Sequence, residues 1–276
     1  MSEKHDIRPG QSLDLLKELH ILTRDGKMNQ DSRRKLKQVY HLYQFIEPLL
    51  QEIQSEHQNI HLVDHGAGKS YLGFILYDLF FKALDGGSQV YGIETRDELV
   101  GKSRLLAKKL NFSGMTFLNL SVMESTASEL LPERIDIVTA LHACDTATDD
   151  AIQFALKKKS QFVVLVPCCQ AEVAKVLRKN KGKMLGGNSL VEIWRHALHT
   201  REFGSHVTNV LRCLQLEAHG YQVSVTELVG WEHSMKNELI IATYKDLPRR
   251  RPAERLHEVL DTLGLDELQG RFRTDL

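Results

Sequence analysis

The stretch "VDHGAGKSYLG", residues 63–73, lies between two apolar segments and contains three glycines, Gly66, Gly68 and Gly73. A Walker A phosphate loop requires four residues between its first glycine and Gly-Lys-Ser, and Val63 stands where that first glycine belongs. The dinucleotide fingerprint G-x-G-x-x-G places its third glycine where this chain has Tyr71. The stretch therefore predicts either a loop that binds a ligand through groups other than phosphates or a simple turn of the chain.

Outward from this turn, strand-like and helix-like segments alternate. The strand-like segments are "NIHLVDHG", "SQVYGIE", "MTFLNLS", "RIDIVTALHACD" and "SQFVVLVPCCQ". Amphipathic segments of helical period separate them, which predicts an open α/β sheet with mostly parallel strands. Two later strands, "GYQVSVTELVG" and "KNELIIATYK", have no helix between them and predict an antiparallel hairpin at the edge of the sheet.

Helical segments flank the alternating region on both sides. Residues 32–55 carry apolar residues at spacings of three and four, with Asp31 or Ser32 as the expected cap, and Pro48 is expected to kink or divide the helix. A terminal helix follows a basic turn near residue 250. We therefore expect an N-terminal helical extension (1–57), a central α/β domain (58–246) and a C-terminal helical tail (247–276).

Composition narrows the class of protein. The chain has 276 residues, with 36 Lys and Arg balancing 36 Asp and Glu, which argues against a uniformly basic surface. The N-terminus lacks an apolar core typical of a secretory signal, and no run approaches the roughly 18 apolar residues of a membrane span. Four cysteines do not form a disulfide framework. We expect a cytoplasmic protein with no membrane partner.

Two acids mark the carboxyl ends of the first two strands. Asp64 lies two residues before Gly66, where a carboxylate can face a cationic ligand. Glu94 ends the second strand, a position from which an acid accepts hydrogen bonds from ribose hydroxyls. Taken singly, a glycine-rich turn is often only a turn and Glu94 a surface acid, but together they predict a nucleoside cofactor.

This constellation resembles class I S-adenosylmethionine-dependent methyltransferases. "VDHGAGKS" is similar to their glycine-rich motif, "VYGIE" to their ribose motif and "LNLSVME" to their adenine-contacting turn, although Ser70 replaces the third glycine. The resemblance covers roughly residues 59–245 and implies a Rossmann-like sheet of seven strands. It also implies S-adenosylmethionine as cofactor, bound by Asp64, Gly66, Gly68, Glu94, Ser121, Val122 and Leu141.

A narrower resemblance concerns the ends of the fourth and fifth strands. "LHACDTATDDAI" and "PCCQ" are similar to segments of a double-cysteine group that includes tRNA 2'-O-ribose methyltransferases. We expect no zinc-binding N-terminal module like those of the tRNA enzymes, so their tRNA specificity does not transfer, and Gln170 stands where the group often has His. The resemblance implies that Cys168, Cys169 and Gln170 border the substrate, together with His233 and Lys236 in the last hairpin. We expect no metal; Cys144, Cys168 and Cys169 pack as small buried residues, with a metal site or a redox dithiol as alternatives.

Methylation of a ribose hydroxyl requires removal of its proton. His142 or Asp145 is the predicted base or the group that orients the nucleophile. Alternatively, His142 is a hydrogen-bonded histidine at the end of a strand, and Asp145 caps the helix that follows.

Basic clusters favour RNA as the substrate. The cluster from Arg33 to Lys37, with Arg33 and Arg34 as the predicted contacts, precedes the first strand, and a second cluster follows the fifth. We predict methylation of ribosomal or transfer RNA at a ribose oxygen or a base. A small-molecule or protein methyltransferase and a non-catalytic scaffold of the same fold are the alternatives, and the sequence does not indicate an oligomeric state.

Overall fold

One mixed sheet of seven strands forms the centre of the molecule. The computed structural model describes residues 7–84, 86–141, 143, 145–167, 170–180, 192–193, 195–228 and 238–275. The strands are β1 (His61–His65), β2 (Gln89–Ile93), β3 (Met115–Leu118), β4 (Ile137–Leu141), β5 (Phe162–Val166), β6 (Tyr221–Glu227) and β7 (Glu238–Tyr244). Their order in the sheet is β3-β2-β1-β4-β5-β7-β6.

The strand directions confirm the predicted fold class. β1 to β5 pair in parallel, whereas β7 is antiparallel to both of its neighbours, β5 and β6. Because β6 and β7 follow each other without an intervening helix, they form the expected antiparallel C-terminal hairpin. The α/β, Rossmann-like sheet with an N-terminal helical extension is confirmed.

Helices cover both faces of the sheet. Within the described ranges they are α1 (Leu13–Glu18), α2 (Gln30–Glu56), α3 (Tyr71–Leu79), α4 (Asp97–Lys109), α5 (Val122–Ala127), α6 (Thr146–Lys157), α7 (Glu172–Asn180), α8 (Ala197–Ala218) and α9 (Arg250–Thr262). None of these helices is both long enough and apolar enough to span a bilayer.

The apolar core is split by the sheet because successive strand residues point to opposite faces. Leu62 packs with Phe74 of α3 and with the apolar face of α2. Its neighbour Val63 packs on the other face with Phe154 of α6. A third cluster, between α7, α8 and α9, lies beside the sheet.

The N-cap of the long N-terminal helix differs from the sequence expectation. Asn29, not Asp31 or Ser32, occupies the N-cap position, and its side chain accepts a hydrogen bond from the Ser32 N–H at 2.8 Å. Pro48 lies inside α2 without dividing it. The face containing Tyr43 and Ile46 is buried in the same core as β1, so packing against the sheet supports the helix around the proline. The domain boundaries at residues 57 and 246 stay predictions.

The strand order creates a switch point between β1 and β4. From β1 the chain proceeds outward to β2 and β3, and from β4 it proceeds in the other direction to β5. The connections after β1 and β4 therefore diverge and leave a crevice at the carboxyl ends of these strands, where open α/β sheets bind their ligands.

Candidate functional site

The glycine-rich loop after β1 reverses the chain in left-handed conformations. Gly66 and Gly68 have φ angles of 65° and 57°, which side chains other than glycine rarely adopt. A Cβ on Gly66 would lie 3.3 Å from the Cβ of Ala143, which follows β4. The Ala67 N–H donates to the Ile93 carbonyl at 3.0 Å, so the loop is anchored to the end of β2.

Ser70, which stands where the similar motif has its third glycine, has a left-handed backbone conformation with φ at 49°. Its hydroxyl donates to Asp64 Oδ2 at 3.1 Å. Gly73 leaves the space for that hydroxyl, because a Cβ at this position would collide with Ser70 Oγ. The absence of a side chain at Gly73 therefore accommodates Ser70, the serine that stands in place of the motif's third glycine.

Asp64 is almost completely buried, with 1% of its surface exposed. Thr139 Oγ1 of β4 donates to Asp64 Oδ1 at 3.1 Å, and the Ser70 hydroxyl donates to Oδ2. Burial raises the pKa of Asp64 to about 6, although the hydrogen bonds that it accepts act in the opposite direction. Through these two hydrogen bonds the Asp64 carboxylate connects β1 to β4 and to the glycine-rich loop.

Glu94, which follows β2, connects the same loop to the end of that strand. Its Oε2 accepts the Gly68 N–H at 2.9 Å, and its Oε1 accepts the Arg96 N–H at 3.0 Å. Burial alone would raise the pKa of Glu94, but hydrogen bonds from Arg96 and Gly68 outweigh it and lower the pKa to about 2. Glu94 is therefore a permanent anion at the predicted ribose position.

His65 lies between the two acids in sequence and is neutral in the fold. It is 4% exposed, and its ring lies 5.5 Å from that of Phe154. Burial lowers the pKa of His65 to about 4, against the influence of Glu94. The site therefore does not place an imidazolium beside a cationic ligand.

The predicted adenine-side residues follow β3 and end β4. Ser121 caps α5 through a reciprocal arrangement with Glu124, Val122 begins that helix, and Leu141 is the last residue of β4. All three are partly exposed. Asn119, which sequence reasoning missed, donates from Nδ2 to the carbonyls of Glu94 at 3.1 Å and Thr95 at 2.9 Å. This amide ties the loop after β3 to the loop after β2.

Asp145 lies at the start of α6 with a φ of 50°. It occupies the N-cap position, but its side chain does not cap the helix. Its Oδ1 accepts the Ala171 N–H at 3.0 Å, and its carbonyl accepts a bond from Arg212 Nη2 at 2.9 Å. Such unusual backbone conformations persist where surrounding contacts hold them, and they cluster at functional sites.

Helix α8 supplies a polar face that sequence reasoning did not identify. Arg212 is fully buried and donates to Asp149 Oδ1 and Oδ2 at 2.6 and 2.9 Å. One turn earlier, Asn209 Oδ1 accepts from Gln170 Nε2 at 2.9 Å, and Asn209 Nδ2 donates to Glu238 Oε2 at 2.7 Å. One helix thus holds the segments that follow β4 and β5 and the start of β7.

The remaining predicted residues fall into two groups. Gln170 is 5% exposed, and Ser205 Oγ donates to its Oε1 at 2.8 Å, so its amide is part of the α8 network. Arg33 and Arg34 are exposed in the first turns of α2. Outside the described residues lie His142, Cys144, Cys168, Cys169, His233 and Lys236.

Among the described residues no group of three His, Cys, Asp or Glu side chains is placed to hold a metal ion.

Two neighbouring cavities connect the start of α2 with the glycine-rich loop. One, of about 460 Å³, is lined by residues that include Lys69, Tyr71 and Lys102. The other, of about 510 Å³, is lined by residues that include Arg24 and Ser32. Glu18 and His20 line both cavities, so they form one continuous surface.

The residues at the switch point fit a nucleoside cofactor without phosphates. Gly66 and Gly68 allow close approach of the backbone, and the Glu94 carboxylate, which accepts hydrogen bonds from Gly68 and Arg96, lies at the predicted ribose position. The neutral imidazole of His65 adds no positive charge to the site, whereas the Arg96 guanidinium lies on Glu94 and offsets its negative charge.

A family model described as "Methyltransferase domain" matches residues 34–176, which is just over half of the chain. A glutathione S-transferase C-terminal domain-containing protein from Bos taurus is 24% identical over 239 residues, covering 80% of this chain and 35% of the relative. A homologue of that protein from Drosophila melanogaster is 30% identical over 129 residues, covering 39% and 22%. The chain thus spans at most about a third of these relatives.

Solved structures with a similar fold include methyltransferases. Magnesium protoporphyrin IX methyltransferase from Synechocystis PCC 6803, solved with bound SAH, has a TM-score of 0.44 and 15% identity, covering 83% of this chain and 94% of that one. The fibrillarin pre-rRNA processing protein of Methanococcus jannaschii has a TM-score of 0.41 and 10% identity, covering 68% and 67%.

The pairing of Ser70 with Gly73 predicts a strong coupling between two substitutions. Gly73→Ala alone forces the Ser70 hydroxyl away from Asp64, and we expect it to lower the free energy of unfolding by about 1–3 kcal/mol. In a Ser70→Gly background the new methyl group meets no hydroxyl, so most of this loss disappears. Urea denaturation of the four proteins measures the coupling, and Gly101→Ala, whose Cβ meets nothing within 4 Å, is the control. Additive effects would contradict the arrangement.

Burial of Asp64 predicts a pH-dependent effect of Asp64→Asn. The folded pKa of about 6 exceeds the ordinary value of 3.8, so the stability that this carboxyl contributes is present below pH 3.8 and lost as the pH rises through 6. Asn removes the titration and retains polar atoms for Ser70 and Thr139. We expect the variant to gain about 2 kcal/mol relative to the parent protein between about pH 4 and pH 7, measured by urea denaturation.

The control for this comparison is Asp261→Asn, which removes an exposed carboxyl from α9. A stability difference between Asp64→Asn and the parent protein that stays constant with pH would show that Asp64 does not titrate as a buried group.

Proposed function

The chain belongs to the methyltransferase domain family, and from that premise we propose that it methylates RNA, at a ribose 2'-oxygen or a base of ribosomal or transfer RNA. The cofactor of this enzyme class is S-adenosylmethionine. The observation that carries the RNA proposal is the continuous surface of two cavities, which runs from the glycine-rich loop to the basic start of α2.

The proposed cofactor contacts follow the geometry of the switch point. S-adenosylmethionine supplies an electrophilic methyl group attached to a sulfonium. The backbone at Gly66 and Gly68 allows close approach of the amino acid end, and Glu94 accepts hydrogen bonds from the ribose. Asp64 holds the loop in shape through Ser70 and adds negative charge beneath it. The adenine and methyl sides are bordered by Ser121, Val122 and Leu141.

On the acceptor side, Asp145 is the proposed base. A ribose hydroxyl must lose its proton when its oxygen is methylated, and a carboxylate at the end of β4 can take that proton or orient the hydroxyl. The bonds from Ala171 and Arg212 fix the position of Asp145, so its orientation does not have to be established during the reaction. His142 is the second candidate for this role.

Phosphate contacts are assigned to the exposed cations along the two cavities. We call this set the basic rim; it consists of Arg24, Lys69 and Lys102, which line the cavities, and of the exposed Arg33 and Arg34, which follow the lining residue Ser32 at the start of α2. RNA binding through such side chains is governed by phosphate neutralisation and is sensitive to salt. A balanced total charge is compatible with this arrangement because only a local surface is needed.

The double-cysteine resemblance makes a ribose 2'-oxygen a specific form of this proposal, without deciding between ribosomal and transfer RNA. Cys168 and Cys169 would border the acceptor, with His233 and Lys236 at the mouth of the site. Gln170 is assigned a positioning role, since its amide is held by Ser205 and Asn209. The proposed catalytic unit comprises residues 58–246, with the helices on either side as extensions.

Transfer of a labelled methyl group tests the proposal. The chain is incubated with labelled S-adenosylmethionine and total RNA from cells that lack this protein, with RNA from normal cells as the already methylated control. We expect label only in the deficient RNA. We expect Asp145→Asn, which tolerates the positive φ and keeps the acceptor for Ala171, to lower kcat about a hundredfold without changing affinity for S-adenosylhomocysteine.

The other outcomes identify the alternatives. Absence of label in both RNA preparations, with S-adenosylhomocysteine still bound, would overturn the RNA proposal and indicate a small-molecule or protein acceptor. Failure to bind S-adenosylhomocysteine would indicate a non-catalytic scaffold. An unchanged kcat in Asp145→Asn would exclude this carboxylate as the base.

A further inference from the structure

The carboxylate of Glu94 is already saturated by donors of its own chain. Oε1 accepts from the N–H and Nε of Arg96, both at 3.0 Å, and from the Thr95 hydroxyl at 3.4 Å. Oε2 accepts from the Gly68 N–H at 2.9 Å and from Arg96 Nη2 at 3.0 Å. A carboxylate offers about four lone-pair sites, so five donors leave no room for another ligand.

The guanidinium of Arg96 binds Glu94 in the same way that a ribose would. It places one N–H on each carboxylate oxygen, as two adjacent hydroxyls do. The two backbone donors, Gly68 and Arg96 N–H, hold the carboxylate in position and stay in place when the side chain leaves. Only the two side-chain bonds of Arg96 and the longer bond from Thr95 are exchangeable.

We propose that Arg96 competes with the cofactor ribose for Glu94, and that binding of the cofactor transfers the Arg96 guanidinium to the basic rim, where it contacts an RNA phosphate. This inference rests on the proposed function. It makes Arg96 a residue that couples the two substrates, because the same cation is bound either to Glu94 or to the acceptor.

The position of Arg96 supports this exchange. Its side chain is 67% exposed, whereas that of Glu94 is 8% exposed, so the guanidinium leaves without disturbing the core. Its Nη2 lies 3.7 Å from the place of a Cβ on Gly68, directly over the glycine-rich loop. Lys69 follows in that loop and, with Lys102, lines the neighbouring cavity. The released guanidinium therefore lies beside the exposed lysines of the basic rim, Lys69 and Lys102.

The exchange predicts in which direction the affinities for the cofactor and for RNA change. Release of Arg96 from an ion pair reduces cofactor affinity, but the pair is largely exposed, so the penalty is small. The released cation adds one phosphate contact, so RNA binds more tightly to the cofactor-loaded protein. Because coupling between two ligands is reciprocal, RNA also tightens binding of the cofactor.

Two equilibrium measurements on the full chain test this coupling. Calorimetry gives the affinity for S-adenosylhomocysteine, and fluorescence anisotropy gives the affinity for a short labelled oligoribonucleotide with and without S-adenosylhomocysteine. In the parent protein we expect S-adenosylhomocysteine to tighten RNA binding about fivefold and to steepen the dependence of log affinity on log salt by about 0.7.

Variants of Arg96 separate its two roles. Arg96→Ala is expected to bind S-adenosylhomocysteine about fivefold more tightly, because the competitor is gone, and to lose the effect of S-adenosylhomocysteine on RNA affinity. Arg96→Lys retains the charge without the planar fork, so it is expected to tighten cofactor binding and to retain part of the coupling. Arg250→Ala, which removes an exposed arginine paired with Glu254 on α9, is the control and is expected to change neither quantity.

The possible failures are distinguishable. If the parent protein does not bind S-adenosylhomocysteine, the proposed function fails. If it binds S-adenosylhomocysteine but no RNA under any condition, RNA as the acceptor fails. If both ligands bind, but Arg96→Ala binds S-adenosylhomocysteine no more tightly than the parent protein or retains the full coupling, the role of Arg96 is overturned.

Discussion

The hydrogen bond from the Gly68 N–H to Glu94 Oε2 is the interaction on which the candidate cofactor site depends. It joins the loop after β1 to the end of β2, and its donor Gly68 has a left-handed conformation with φ at 57°. Asp64 holds the other side of the same loop through Ser70. The loop is therefore held by hydrogen bonds to two carboxylates, those of Asp64 and Glu94.

The proposed acceptor side depends on a different element, the polar face of α8. Arg212 and Asn209 contact segments after β4 and β5 and the start of β7, which are distant in sequence. A buried arginine is costly unless its donors are satisfied, and here Asp149 and the Asp145 carbonyl satisfy them. One helix thereby fixes Asp145 relative to the segments around it, as positioning of an acceptor requires.

The sequence was sufficient to predict the sheet and its hairpin, because the alternation of periods and the missing last helix are local signals. It also identified Gly66, Gly68 and Glu94 as one cluster, since the carboxyl ends of parallel strands meet at one edge. The compensation between Ser70 and Gly73 and the contacts of α8 were not predictable, because they depend on distances between side chains after folding. The cap at Asn29 was missed because three polar residues within four positions, Asn29, Asp31 and Ser32, all suit the cap position.

Hydrogen exchange with and without S-adenosylhomocysteine tests the central claim, that the crevice between β1, β2 and β4 holds the cofactor. We expect amide protection to increase at residues 64–70 and 94–96, and in the loop 119–122 that Asn119 ties to them. The start of α9 is distant from the site and is expected to be unaffected. Protection confined to another surface, with no change at residues 64–70, would contradict the placement of the site.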